Sequence, residues 1–197
     1  MQSSAYKHLA WSIPLVILVL VALDQALKLY ISTHFALGES IEVLPFFQLC
    51  FVENNGMAFG MEWMPKWALT FFRIVMVGLL SYYMYMLAAR QHARLSYIAM
   101  IVLVTAGAIG NIIDCVFYGQ LFGYAPWFYG KVVDMLYFPL IRNAAGETLF
   151  FRPVFNLADS YITVAVFAII LFFRKDLNDS LEKKEDVRGL DVRGLEG

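Results

Sequence analysis

Two aspartates stand at the edges of apolar segments in the second half of the chain. Asp134 lies in "KVVDMLYFPL" and Asp159 lies in "FNLADSYITVAVF". Two carboxyls that are brought together cannot both ionise cheaply, so such a pair holds one proton near neutral pH. The ionised member can then take a proton from water while the protonated member donates one to a carbonyl or a leaving amine, as in aspartic proteases.

Other polar side chains lie within or beside the apolar segments. They are Asp24, Lys28, Asn54, Asn111, Asp114 and Asn156. Each ionisable or amide group inside a membrane span is costly unless it is paired or hydrated. If the apolar segments are membrane-spanning helices, all of these groups map to the same face of the membrane. The sequence therefore predicts a site on one side of the membrane and no path of acids through it.

Structural roles also explain these groups one by one. Asp24 and Lys28 are four residues apart, so an ion pair on one helix face would reduce the cost of both charges. The amide and acid of "GNIID" would hold helices together by hydrogen bonds, after the small residues of "TAGAIGN" that favour close packing. Asn156 is in an N-cap position and Asp159 is in the first helical turn, so capping accounts for both.

Other catalytic and metal chemistries find little support in the sequence. No "GxSxG" motif is present, and His8, His34 and His92 share no ligand spacing. Cys50 and Cys115 match no disulfide framework, so we expect both to be free. We expect neither a metal nor a cofactor. The remaining alternative for the acids is a proton relay or ion coupling in a transporter.

Composition places the chain in a membrane. It is 60% hydrophobic and 16% charged, with a mean hydropathy of +0.64, outside the range of soluble globular proteins. The net charge of −1 indicates no nucleic-acid partner. The segments that are long and apolar enough to cross a membrane as helices cover about residues 9–31, 67–89, 95–118 and 157–173. We read the first as a retained span, because no small-residue cleavage site ends it.

The positions of Lys and Arg predict the orientation. Arg90 and Arg94 separate the second and third spans, and Arg174 and Lys175 follow the fourth, so these ends and both termini are expected in the cytoplasm. The loop at about 33–65 contains no Lys or Arg, as expected outside.

The outside loops, at about 33–65 and 119–156, carry their own patterns. "SIEVLPFFQLCFVENNGMAFG" alternates like strands and ends in the turn signal "NNG". "LFGYAPWFYG" is typical of an interfacial segment, and residues 143–146 read as a hairpin tip. We predict an α-helical membrane protein with four transmembrane helices, a small periplasmic β-rich cap and an interfacial aromatic segment. Residues 1–175 form one domain, followed by a polar, disordered cytoplasmic tail at 176–197.

On these residues the chain resembles the lipoprotein signal peptidases (signal peptidase II), a bacterial family of membrane aspartic proteases. "LDQALK", "ENNGMAFG", "GAIGNIID", "KVVDM" and "FNLADSYIT" carry the resemblance, which extends over about residues 11–173. It implies that Asp134 and Asp159 are the catalytic pair and that Asp24 and Lys28 support the fold. The residues that it implies around the site are Asn54, Gly56, Asn111, Asp114 and Asn156.

The resemblance also implies a reaction, partners and a location. The reaction is hydrolysis of the peptide bond before a diacylglyceryl-modified cysteine, which releases the signal peptide of a prolipoprotein. The implied partners are lipid-modified prolipoproteins, membrane lipid and globomycin-type inhibitors, with the chain acting as a monomer. The implied location is the bacterial cytoplasmic (inner) membrane, with the site on its periplasmic face. The alternative is a transporter or assembly factor that uses Asp24, Lys28 and Asp114 for ion coupling or packing.

The chain departs from the family pattern in two places. Cys115 follows Asp114 where the family commonly has an arginine, and Lys131 and Arg142 are the candidate substitutes for it. The connection between the two proposed catalytic aspartates is also longer than in the family, because "LIRNAAGETLFFRP" enlarges it.

Overall fold

The computed structural model describes residues 2–55, 65–89, 94–142, 148–150 and 153–180. The helices are α1 (Gln2–His34), α2 (Lys66–Ala89), α3 (Leu95–Ile113), α4 (Gly119–Leu121) and α5 (Leu157–Phe172). The strands are β1 (Ser40–Leu44), β2 (Phe47–Asn54), β3 (Val132–Tyr137), β4 (Ile141–Arg142), β5 (Thr148–Phe150) and β6 (Val154–Phe155).

All of the predicted apolar spans are helical. Three segments of the described chain are long and apolar enough to cross a membrane: Trp11–His34, Lys66–Ala88 and Leu95–Leu121. Helix α5 has 16 residues and a length of about 24 Å, which is short of the roughly 30 Å hydrocarbon core. It is followed, after a bend of 86°, by a second helix at Arg174–Ser180. The described part of the chain therefore has three helices, or four with this bent pair, that could span a membrane.

The outer faces of these helices are apolar and exposed, as expected for contact with lipid rather than water. Among the exposed large side chains are Trp11, Leu15, Phe71, Leu79 and Phe167.

Helix α3 lies against α1, α2 and α5, and small residues allow the close approach. A Cβ atom at Gly110 would lie 2.6 Å from a carboxylate oxygen of Asp24 and 3.2 Å from the Cβ of Ala158. A Cβ atom at Gly107 would collide with the carbonyl oxygen of Ala158. The close packing predicted from "TAGAIGN" is therefore confirmed, and it brings the start of α5 and the acid of α1 onto the same face of α3.

The chain stays helical after the end of α3 at Ile113. It continues through one π-helical turn, Asp114–Tyr118, and then through the short α4. Such turns often mark functional sites, because the wider turn redirects side chains. Here Asp114, Cys115 and Tyr118 are all buried.

The segment predicted to be strand-like forms β1 and β2 of a small antiparallel sheet, and β3 and β6, which were not predicted, complete it. Strands β1, β2, β3 and β6 pair in that order, with Val52 opposite Asp134 and Leu136 opposite Phe155. Strands β4 and β5 pair separately as an antiparallel hairpin. Its predicted tip at 143–146, and the end of the "NNG" turn, lie outside the described residues.

The chain remains helical beyond the point where we expected the tail to begin. In Arg174–Ser180, the Asp176 carboxylate lies 3.5 Å from the guanidinium of Arg94, and Ser180 hydrogen-bonds Tyr83. The rest of the predicted tail, residues 181–197, lies outside the described residues.

Candidate active site

The sheet brings the two aspartates of the sequence analysis to one end of the bundle. Strand β3 carries Asp134 into the interior, where it is 2% exposed. Strand β6 pairs with β3 and leads directly into Asn156, the N-cap of α5, so that Asp159 lies in the first turn of that helix and is half-buried. Because β6 pairs with the free edge of β3, the chain that leaves Asp134 comes back beside it before it reaches Asp159.

A single asparagine connects the two aspartates. The Asn156 side-chain nitrogen donates to Asp134 Oδ1 at 2.7 Å, and its oxygen accepts from the backbone N–H of Asp159 at 2.8 Å. In return, the backbone N–H of Asn156 donates to Asp159 Oδ2 at 3.4 Å, which completes a capping box. The capping role predicted for Asn156 and Asp159 is confirmed, and the same contacts hold Asp134 beside them.

Two further amides complete this arrangement. Asn54 donates from its side chain to Asp134 Oδ2 at 3.1 Å, because it lies two residues after Val52, which faces Asp134 in the sheet. Asn111, on α3, donates to Asp159 Oδ1 at 2.7 Å. Each aspartate therefore accepts hydrogen bonds from two asparagine residues, and the structure brings together the predicted Asn54, Asn111 and Asn156.

The electrostatics of Asp134 are strongly perturbed. Burial, and next the negative charge of nearby Asp159, raise the pKa of Asp134 to about 7. The hydrogen bonds from Asn54 and Asn156, and the charge of Lys28, oppose this shift. Near neutral pH the pair can therefore hold one proton between two carboxyls, which suits one group to accept a proton and the other to donate one.

A buried ion cluster lies beneath the pair. Lys28 is fully buried and lies 2.9 Å from Asp24 and 2.8 Å from Asp114. Asp24 Oδ1 accepts from the backbone N–H of Ala158 at 2.9 Å, and Asp114 Oδ2 accepts from that of Val133 at 3.2 Å. The predicted intrahelical ion pair is confirmed, and it also links α1 to the first turn of α5 and to β3.

Sequence reasoning missed two polar residues around this cluster. Gln25 donates to Asp114 Oδ1 at 2.8 Å and accepts from the Tyr118 hydroxyl at 3.1 Å. Its position beside Asp24 within an apolar run was the signal that could have revealed it. Arg73, from α2, donates to Cys115 Sγ at 3.1 Å.

The contact of Arg73 bears on the missing family arginine. Lys131, one of the two candidate substitutes, forms an ion pair with Glu53 at 2.6 Å. The side chain of the other, Arg142, is outside the described part of the structure. Within that part, the cation that contacts Cys115 is Arg73, from α2.

Two other expectations concern site residues and metals. Gly56 lies outside the described residues. Across the described ranges, no group of three or more His, Cys, Asp or Glu residues converges as a set of metal ligands. Cys50 and Cys115 are both free, as predicted, and both are buried.

The chain is similar in sequence to known proteins. The family model described as signal peptidase (SPase) II matches residues 16–174. A lipoprotein signal peptidase of Porphyromonas gingivalis is 38% identical over 193 residues, covering 86% of this chain and 85% of the relative. One of Amoebophilus asiaticus is 32% identical over 206 residues, covering 94% of this chain and 87% of the relative.

Solved structures show the same architecture. A bacterial membrane enzyme determined by the in meso method at 2.3 Å resolution has a TM-score of 0.64 and 31% identity, covering 85% of this chain and 90% of its own. A second, at 1.9 Å resolution, has a TM-score of 0.62 and 32% identity, covering 84% of this chain and 94% of its own.

Proposed function

The chain belongs to the signal peptidase II family, and we propose that it removes signal peptides from prolipoproteins with Asp134 and Asp159 as its catalytic pair. The observation that carries this proposal is the bridge through Asn156, which contacts both aspartates at the end of the bundle. No Ser or Cys nucleophile is needed, because two coupled carboxyls can activate a water molecule directly.

The two aspartates have different surroundings, and these support different roles. Asp159 is half-buried and lies at the N-terminus of α5, where the helix dipole favours a negative charge. Asp134 is buried, so it is the member that holds the proton. Asp159 takes a proton from water as the water oxygen adds to the scissile carbonyl, while Asp134 donates its proton to the carbonyl oxygen. The tetrahedral intermediate then breaks its C–N bond. Asp159 gives the proton that it took from water to the leaving nitrogen, and one hydroxyl of the intermediate returns its proton to Asp134 as the new C=O bond forms, which restores the singly protonated pair.

The proposed substrate is a prolipoprotein cut before its diacylglyceryl-modified cysteine. The apolar outer faces of the helices support binding of the lipid and of a signal peptide that remains helical in the membrane. Binding energy from these remote parts would hold the scissile bond beside the carboxyls. The resemblance to the family implies inhibition by globomycin-type peptides, and we propose that such peptides inhibit this chain.

The proposed setting is the cytoplasmic membrane of a bacterium, with the chain as a monomer. The sheet and the two aspartates lie at one end of the bundle, and Arg94, Arg174 and Lys175 lie at the other. By the positive-inside rule, this distribution supports a periplasmic site and cytoplasmic termini.

Cleavage of a purified, lipid-modified precursor by conservative variants tests the proposal. We expect Asp134→Asn and Asp159→Asn each to reduce the cleavage rate by about 10²- to 10⁴-fold, the usual contribution of a general acid or base. Asp176→Asn is the matched control, because it makes the same chemical change at the opposite end of the bundle. It should cleave at the wild-type rate.

Two outcomes would contradict the proposal. Near wild-type cleavage by either dyad variant would remove that residue from the catalytic pair. Ion-dependent flux through reconstituted vesicles that survives both substitutions, without any cleavage, would instead favour the transporter interpretation.

A further inference from the structure

We propose that Lys28 is a positioning residue that fixes the orientation of the Asn111 amide. In that orientation Asn111 donates a hydrogen bond to Asp159, and Asp159 is the aspartate that acts as the base. This inference rests on the proposed function, because it assigns roles within the same pair of aspartates. Lys28 would not contact the substrate and would act only through Asn111.

The amide of Asn111 has two ways to face its neighbours. An asparagine side chain can present either its oxygen or its NH₂ group to a given partner, and only the surrounding contacts decide which. The Lys28 ammonium has donors and no acceptor, and it lies 2.9 Å from Asn111 Oδ1. The oxygen must therefore face Lys28, and the NH₂ group is turned toward Asp159, 2.7 Å away.

A second contact acts in the same direction. Asn156 also donates to Asn111 Oδ1, at 3.1 Å. The same Asn156 nitrogen donates to Asp134. Reversal of the Asn111 amide would turn its NH₂ group toward two other donors, Lys28 and Asn156, and its oxygen toward the Asp159 oxygen. The orientation of one amide is thus coupled to both aspartates.

Lys28 is itself held in place. Its ammonium contacts Asp24, Asp114 and Asn111, which matches its three donors, and it is fully shielded from solvent. Since water cannot compete for these donors, the hydrogen bond to Asn111 persists. The two carboxylates of Asp24 and Asp114 offset the cost of burying the Lys28 charge, and the third donor of the ammonium remains to orient the Asn111 amide.

The consequence concerns which aspartate stays ionised. Asn111 places a hydrogen-bond donor 2.7 Å from Asp159 Oδ1, and donors of this kind stabilise a carboxylate. Within the described residues, the charges of Asp159 and Lys28 act on Asp134 in opposite directions, and Asp24 and Asp114 lie 2.9 and 2.8 Å from the Lys28 ammonium. Of these, only Lys28 is a cation.

The pH profile of cleavage distinguishes positioning from simple support of the fold. In Lys28→Met the Asn111 oxygen loses the hydrogen bond that fixes the orientation of its amide. We expect the acid limb of the profile, which is the pH range where the rate rises as the base loses its proton, to move to higher pH by about one unit, a tenfold change in proton affinity. Loss of a purely structural group would lower the yield or the rate at every pH and leave the limb in place.

Two further variants keep the test decisive. Lys28→Met leaves two buried carboxylates without a counter-ion, so Asn111→Asp is made in parallel: it keeps an oxygen partner for Lys28 and replaces the donor that faces Asp159. It should move the acid limb in the same direction even if Lys28→Met does not fold. Tyr118→Phe is the control, because it removes a hydroxyl from the far end of the same cluster, 3.1 Å from Gln25.

The outcomes separate this inference from the proposed function. A limb that moves in Lys28→Met or Asn111→Asp but not in Tyr118→Phe supports positioning. An unmoved limb in folded Lys28→Met or in Asn111→Asp, or an equal shift in Tyr118→Phe, overturns it, while Asp159→Asn stays inactive. An active Asp159→Asn would instead overturn the proposed function itself.

Discussion

Replacement of Asn156 tests whether one side chain both caps α5 and holds the two aspartates together. Asn156 is fully buried, and its amide makes three hydrogen bonds, to Asp134, to Asn111 and from the N–H of Asp159. Asn156→Ala removes all three. Asn156→Ser keeps an oxygen that can cap the helix, but its shorter side chain lacks the NH₂ group that reaches Asp134 and Asn111.

The structure predicts different sizes for the two effects. Loss of an N-cap costs about 1 kcal/mol, so Asn156→Ala should be less stable than Asn156→Ser by about that amount. Loss of a hydrogen bond to a carboxyl costs about 1.5–3 kcal/mol, and both variants lose the one to Asp134. If that energy holds the pair in its reactive geometry, cleavage should fall by about tenfold to 150-fold in both variants.

The assay combines unfolding with cleavage. Denaturant or thermal unfolding in mild detergent gives the difference in stability, and initial rates on a lipid-modified precursor give the difference in activity. Wild-type cleavage by Asn156→Ser would show that the amide does not hold Asp134. Equal stability of the two variants would refute the capping argument.

Three other predictions follow from burial, packing and charge. Because Asp134 has a pKa raised to about 7, it is protonated below that pH and ionised above it. Initial cleavage rates should therefore decline as the pH rises past about 7. A flat profile there would contradict the assignment of the shared proton to Asp134. Gly110→Ala would place a Cβ 2.6 Å from a buried carboxylate oxygen and should lower unfolding stability by about 1–3 kcal/mol, whereas Gly78→Ala, with no atom within 4 Å, should not. In intact cells, a membrane-impermeant thiol reagent should label a cysteine placed at Leu140 but not one at Arg94, and the reverse labelling would invert the orientation.

The sequence predicted the apolar helices and the polar side chains that gather at one end of the bundle, because both depend on simple local rules. A run of apolar residues long enough to cross a membrane has few alternatives to a helix, since its backbone groups must be satisfied internally. Polar residues within such runs are costly, so Asp24, Lys28 and Asn111 were visible as exceptions. The alternation around Asn54 likewise predicted strands, and the structure confirms β1 and β2.

Spacing could not predict which polar groups contact one another. Lys28 and Asp24 share a face of α1, but the contact of Lys28 with Asn111 exists only because α1 packs closely on α3 at Gly110. The role of Gln25 was missed for the same reason, since its partners Asp114 and Tyr118 lie on a π-helical turn that no periodicity indicated.

The sequence by itself determined the apolar helices, the strand-forming cap and the set of polar side chains gathered at one end. Only the tertiary structure decided that Asn156 joins Asp134 to Asp159, and that Lys28 reaches Asn111. The physical reason is range. Hydrophobic length and periodicity act within one segment, whereas a hydrogen bond between segments needs atoms placed to within a few tenths of an ångström, which depends on how several elements pack together.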